Sequence, residues 1–355
     1  MAIFKSFNIV DAQSPQSSDV VSNVKDIVSS GMWANGAASL TAFYTSSAQS
    51  ASNGDYYLDV YDKNPQSDNT AAVQFSVAYG HFNGSGSLGK VGVAGNRSSA
   101  AIYRQLTNTL LGPNVSQFTF AGSGGNIKPK YVYAISIARQ QLREKMDPGN
   151  WELHLSGSSS SIKLIDDSGA TTNPQVNQGG RVFNVVSGSI ARGVAVTDTT
   201  ATAQPGGAYG LFYPDLGIII LNGPVTDVSG SIGAVTTTNT LGGNVDKFYS
   251  LISGSATSTG PGGQFFKARR EEVITSQHYF CRVPNKEFNF SANPTFVTGS
   301  QGNFQIGAFF KNPKTFITQV GLYNSANELL AVAKLSKPLL KSYSREAIIK
   351  VKLDF

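Results

Sequence analysis

Cysteine is almost absent from this chain: Cys281 is the single thiol in 355 residues. One thiol builds neither a disulfide framework nor a cysteine-rich zinc site, so burial and hydrogen bonding must hold the fold. Histidine is nearly as scarce. His81, His154 and His278 stand apart, each in or next to a strand-like run, whereas a Ser-His-Asp or Cys-His site or a metal centre needs its members together. Charged residues make up only 14% of the chain, against roughly 25% in an average soluble domain. Long apolar runs are missing too, since the best candidate, Leu216 to Leu221, falls far short of the roughly 18–20 residues of a membrane helix. The opening Met1-Ala2-Ile3-Phe4-Lys5-Ser6-Phe7 lacks the apolar region of a signal peptide, which predicts a chain made and folded in a cytoplasm.

What is present is aromatic and turn-forming. With 40% hydrophobic residues, 21 Phe, 14 Tyr and 37 Gly, the chain has the apolar content to fold, and its composition favours sheets joined by many turns. The predicted class is mainly β with a few short helices (α+β), in antiparallel sheets. The length allows two or three domains. The pattern suggests a β-rich region over 1–130 with two short helices, a central β region over 131–264 and a C-terminal β region over 265–355.

Asp19 to Ser30 spaces Val20, Val21, Val24, Ile27 and Val28 as on a helix, with Asp19 as cap and Gly31 as stop. Ser98 to Leu111 predicts a second helix closing a sheet face, with Ile102, Leu106 and Leu110 on one stripe and Gly112-Pro113 behind it. Tyr56 to Tyr61, Val73 to Tyr79, Tyr131 to Ile137, Arg181 to Val186 and Ile218 to Leu221 read as strands, and Trp151 to Leu155 with Ser161 to Ile165 as a hairpin. Asn173 to Gly180 reads as a loop. Val225 to Gly263, rich in Gly, Ser and Thr, reads as a surface excursion in which only Val245 to Ile252 looks helical.

Gly84-Ser85-Gly86-Ser87-Leu88-Gly89-Lys90-Val91 spells a phosphate loop, but helical pattern resumes only near Ser98, so it reads as a flexible loop. Asp55, Asp59, Asp62 and Asp68 lack calcium-loop spacing. The adjacent pairs Asp166-Asp167 and Glu271-Glu272 point to opposite faces of a strand and cannot share a hydrolytic task. No catalytic, metal-binding or cofactor-binding residue is assigned, and no enzyme is expected. Phe265-Phe266-Lys267 and Phe309-Phe310-Lys311 interleave aromatics with base. Such runs can stack on nucleobases or sugars, and they equally serve core packing and subunit contact.

The C-terminus is the most strongly patterned part. Thr315 to Tyr323 and Glu328 to Lys334 read as a hairpin closed by Asn324-Ser325-Ala326-Asn327, followed by a loop at Lys337-Pro338 and a terminal strand, Ala347 to Phe355. Ordering a chain end costs backbone entropy, so this end is expected to pack into a sheet, its own or a neighbour's. Phe316, Val320, Leu322, Tyr323, Leu329, Leu330, Ile348, Val351 and Phe355 are the candidate assembly interface. From Lys311 onward eight basic residues face three acids, 8 minus 3 giving +5 of the formal net charge of +6. Those charges alternate with apolar residues, as in Ile349-Lys350-Val351-Lys352-Leu353, in the manner of a strand with one wet face. Attraction to an acidic protein surface or to nucleic acid is the other use for them. Nucleic acid is not an expected partner, because its footprint is normally a denser cluster.

Several segments together resemble virion structural proteins of contractile-tailed marine bacteriophages, cyanophage-like myoviruses. They are Gly54-Asp55-Tyr56-Tyr57-Leu58-Asp59-Val60-Tyr61, Val73 to His81, Glu144 to Leu153, Gly210 to Ile218, and Val320-Gly321-Leu322-Tyr323-Asn324 with Glu328 to Lys334. Shorter echoes of the last occur in tail-fibre attachment domains. The resemblance covers most of the chain and lapses over Val225 to Gly263. It implies a multi-copy, non-enzymatic tail or baseplate part without cofactor, assembled in the host cytoplasm and located in the virion. The implied partners are other virion structural proteins and copies of the chain itself, with no membrane. Two alternatives stay open: a neck or capsid-associated structural protein, and a carbohydrate-binding adhesin of a tail fibre, for which Tyr209 to Tyr213 is the aromatic candidate.

Overall fold

A computed structural model describes residues 20–46, 57–87, 97–121, 125–157, 161–169, 174–191, 194–197, 209–229, 243–254 and 265–354. Among them the chain is mainly antiparallel β with four α-helices. It divides into two units, residues 28–272 and residues 1–27 with 273–355.

The elements are β1 (Val20–Gly31), β2 (Ser39–Leu40), β3 (Tyr44–Thr45), β4 (Tyr57–Tyr61), β5 (Val73–His81), α1 (Ser98–Leu110), β6 (Tyr131–Ile137), α2 (Arg139–Leu142) and β7 (Lys145–Met146). There follow β8 (Glu152–Ser156), β9 (Ser161–Asp166), β10 (Gln175–Asn177), β11 (Gly180–Ala191), β12 (Val194–Thr197), β13 (Gly210–Tyr213), β14 (Ile218–Asn222), α3 (Gly223–Ser229), α4 (Asn244–Ser253) and β15 (Phe266–Lys267). The chain ends with β16 (Arg269–Val283), β17 (Val297–Thr298), β18 (Asn303–Phe304), β19 (Thr315–Tyr323), β20 (Leu329–Lys341) and β21 (Ala347–Asp354).

The larger unit is built on a thirteen-stranded sheet in the order β2-β15-β8-β9-β11-β13-β14-β6-β5-β4-β3, with β10 and β12 also paired to β11. Strands β2 to β5 from the first of the expected regions and β6 and β8 to β14 from the second share this one sheet. Its two edge strands, β2 and β3, are separated by only Thr41 to Phe43, a link that spans at most about 15 Å. The sheet is accordingly a curled half-barrel. Helix α4 touches β4, β5 and β8, strands far apart in the sheet order, which sets it inside the curl.

That inner side holds the main core. Trp33, Phe75, Tyr133, Trp151, Phe212 and Phe266 are fully buried there with Val245, Phe248, Leu251 and Ile252 of α4. The Phe248 ring stacks on Tyr133 at 4.6 Å, and burying such a side chain is worth about 1.5–3 kcal/mol. The expected helix at 245–252 is thus present, but it is an interior plug and not part of a surface excursion. The opposite face of the sheet is closed by α1, as expected, with Tyr103 and Leu110 against Phe118, Phe120, Val132, Ala134, Val182, Tyr213 and Ile220. Ile219 and Leu221 face the first cluster and Ile220 the second. Both faces of β14 are buried, which explains why its sequence is apolar without alternation.

Two local readings are corrected. The helix expected over Asp19 to Ser30 is strand β1, which lies beside β16 in a sheet. Val20, Val24 and Val28 recur every four residues, an even spacing that keeps them on one face of a strand as well as of a helix, and their β-branching favours the strand. The loop expected over Asn173 to Gly180 contains β10, paired to β11 at Val176↔Arg181.

Candidate assembly surface

The smaller unit starts from β16, which pairs antiparallel with β21 from Ser276↔Asp354 to Val283↔Ala347. The terminal strand is therefore tied into its own chain; Phe355 lies outside the described residues. Strands β19 and β20 form the expected hairpin, with Val320↔Ala333 and Leu322↔Ala331 in register. Asn324 shapes its turn: its Oδ1 accepts N–H bonds from Ala326 at 3.0 Å and Glu328 at 2.8 Å. Asn327 takes the left-handed conformation at φ 62°, which Asn tolerates better than most residues. The loop expected at Lys337-Pro338 is instead part of β20. The register jumps from Ile317↔Leu339 to Gln319↔Lys334, and Pro338 lies within that irregularity, where its missing N–H costs no ladder bond.

The core under this hairpin is thin. Only Val283, Ile349 and Val351 are buried in it, with Ile317, Val320, Leu322, Ala333, Leu335 and Leu339 half-covered around them. The connecting segment from 284 to 314 is held mainly by polar contacts. Lys341 is fully buried and its Nζ donates to Asn285 O at 3.0 Å, Asn289 Oδ1 at 3.0 Å and Ser342 O at 3.1 Å. Burial lowers its pKa, while Glu287 and Glu346 act to raise it. Thr315 Oγ1 donates to Phe288 O at 2.7 Å. A satellite of phenylalanines surrounds buried Phe296, with Phe309 stacked on it at 4.9 Å and Phe290 and Phe304 edge-on. Phe310 touches Phe304 yet is 80% exposed.

The nine candidate interface residues divide by strand face. Phe316 is 63%, Leu330 67% and Ile348 66% exposed, and Tyr323 and Leu329 are exposed as well. Val320 and Leu322 instead face the thin core, and Val351 is buried in it. Tyr323 and Leu329 lean over Gly321, where a Cβ would come within 2.9 Å of Tyr323 Cε2 and 3.3 Å of Leu329 Cδ1. Sequence reasoning missed Val332, Phe290, Ile306 and Tyr343, all exposed. The alternation of Leu330, Val332 and Lys334 along β20 carried a signal for the first.

Charge gathers on the same unit. Residues 273–355 contain ten basic and four acidic residues, 10 minus 4 giving +6, whereas residues 1–272 hold eighteen of each. No acid occurs between Glu287 and Glu328.

The larger unit holds the remaining chemical candidates. Tyr131 Oη donates to Asp227 Oδ2 at 2.6 Å and Tyr133 Oη to Oδ1 at 2.9 Å. Burial raises the pKa of Asp227 against the opposing effect of these two donors, and burial likewise raises both tyrosines. His81 Nδ1 accepts the N–H of Asn83 at 3.0 Å and of Ser85 at 3.2 Å, and burial lowers its pKa. His154 lies against Phe265, and His278 is on β16 beside Phe280. The described part of the glycine-rich run, Gly84 to Ser87, is turn; Leu88 to Val91 fall outside the described residues. Tyr209, Phe212 and Tyr213 are buried, so the adhesin candidate offers no aromatic face. A depression of about 340 Å³ bordered by Ser39, Asn150, Lys267 and Arg269 brings no acid to a base. Among the described residues no group of three or more His, Cys, Asp or Glu could hold a metal ion, and no helix is long and apolar enough to cross a membrane. Set against protein-family models, curated proteins and solved structures, the chain matches none.

Proposed function

We propose that this chain is a non-enzymatic structural subunit of a bacteriophage virion, a baseplate component of a contractile tail that holds neighbouring subunits together. One observation carries the assembly part. Among the described residues of 273–354 ten large apolar side chains are exposed and four hydrophobic residues are buried, whereas among those of 28–272 six are exposed and forty-two buried. One unit has satisfied its apolar surface internally. The other has not, and exposed apolar area of this kind marks protein contact. The particle part rests on the resemblance of the segments named above to tail and baseplate proteins. The adhesin alternative is weakened by the burial of Tyr209 to Tyr213.

Quantitative mass spectrometry of purified particles from the phage that encodes the chain tests this. The expected result is the chain in several copies per particle. A chain abundant in infected cells and missing from purified particles would refute the reading.

A further inference from the structure

The unit that leaves its apolar side chains uncovered also carries all of the chain's net charge. Building on the structural-subunit reading, we propose that the outer face of the β19–β20 hairpin docks an acidic protein chain, and not a second copy of itself.

The face has the layout of a protein contact. Tyr323, Leu329 and Val332 cluster over Gly321, Leu330 projects beside them, and Phe316 lies further along β19. With five large side chains at 43–67% exposure, the apolar centre amounts to on the order of 500 Å². A standard interface takes about 800 Å² from each partner, and the flanking Lys314, Lys334 and Lys337, all exposed, supply a polar rim of one sign. That rim selects the occupant. Among the described residues these lysines make no ion pair, and the sequence holds no acid from 288 to 327. A symmetric contact between copies would press this lysine rim against the same rim of the partner copy, and like-charge juxtaposition costs several kcal/mol. Lys334, Lys337 and Pro338 on β20 are moreover the residue types that keep an open strand from pairing with its own kind. Nucleic acid fits less well, because three of the five large side chains, Leu329, Leu330 and Val332, are aliphatic and only Phe316 and Tyr323 could stack on bases.

The test uses the full-length chain and a fluorescent twelve-residue peptide of alternating Glu and Val. Its Lys-Val counterpart, a twenty-nucleotide oligothymidylate and phosphatidylcholine–phosphatidylglycerol vesicles serve as competing probes. The Glu-Val peptide is expected to bind, weakening about tenfold as salt rises from roughly 50 to 500 mM. The double substitution Lys334→Glu with Lys337→Glu, and separately Val332→Ser, should each weaken it about tenfold with unchanged circular dichroism, because all three side chains are exposed. The chain alone should sediment without self-association through this face. Four outcomes would overturn the proposal: no peptide binding, equal binding of the Lys-Val peptide, tighter binding of oligothymidylate or vesicles, or self-association that Val332→Ser abolishes. Particle incorporation separates the two readings. Equal incorporation of the wild type and the charge-reversed variant sinks the acidic partner and leaves the structural role standing; absence of the wild type sinks the role itself.

Discussion

Both carboxylate oxygens of buried Asp227 are occupied by tyrosine hydroxyls, yet burial still raises its pKa. Between the ordinary carboxyl pKa and the raised one the folded chain holds this proton more tightly than the unfolded chain does. Its contribution to stability therefore falls as pH rises through that window. Asp227→Asn removes the titration. In urea unfolding, the stability of the wild type relative to this variant should grow as pH is lowered from about 7 toward 4; a flat or opposite trend would contradict the assignment. Lys341 offers a second residue-scale test. Lys341→Met leaves Asn285 O, Asn289 Oδ1 and Ser342 O without their donor, so a loss of about 1–3 kcal/mol is expected. Faster hydrogen exchange at 285–289 should accompany it.

Among the elements, β21 is the one on which the smaller unit depends most. It faces β16 over eight residue pairs and supplies two of the three buried side chains of that core, Ile349 and Val351. Deleting residues 347–355 should abolish amide protection over 276–283 and 315–341, while the sheet of residues 28–272 keeps its own. Unchanged protection in 315–341 would show the hairpin to be independent of β21. The hairpin was legible in the sequence because its turn is local chemistry, fixed by Asn324 and Asn327. Strand β1 was not, because a spacing of four satisfies both periodicities and the choice is made by distant β16. The helical pattern of α4 was legible, but its place inside the curl depends on β4, β5 and β8, which lie far away in the chain. The candidate interface was legible as a set of alternating residues. Which face turns inward was not, since Val320 and Leu322 are drawn in by a cluster centred on Val283, Ile349 and Val351, which belong to the separate sheet of β16 and β21.

For the molecule as a whole, the two units divide two tasks. Residues 28–272 build a saturated core around α4, and residues 273–354 combine a thin core with exposed apolar side chains and a net charge of +6. A stable scaffold attached to an uncompleted, charged surface suits a part that acts by fitting against other parts, in keeping with the virion role proposed here. Substitutions on the outer hairpin face, such as Val332→Ser, should for the same reason change stability by less than about 0.5 kcal/mol, because the side chain is already exposed. Cryo-electron microscopy of intact particles of the encoding phage bears most directly on the role itself. Repeated density is expected in the tail baseplate into which the curled sheet of residues 28–272 fits, with the β19–β20 hairpin covered by a neighbouring protein. Particles whose tail and baseplate density is fully explained by other proteins, or a hairpin left bare to solvent in every copy, would contradict it.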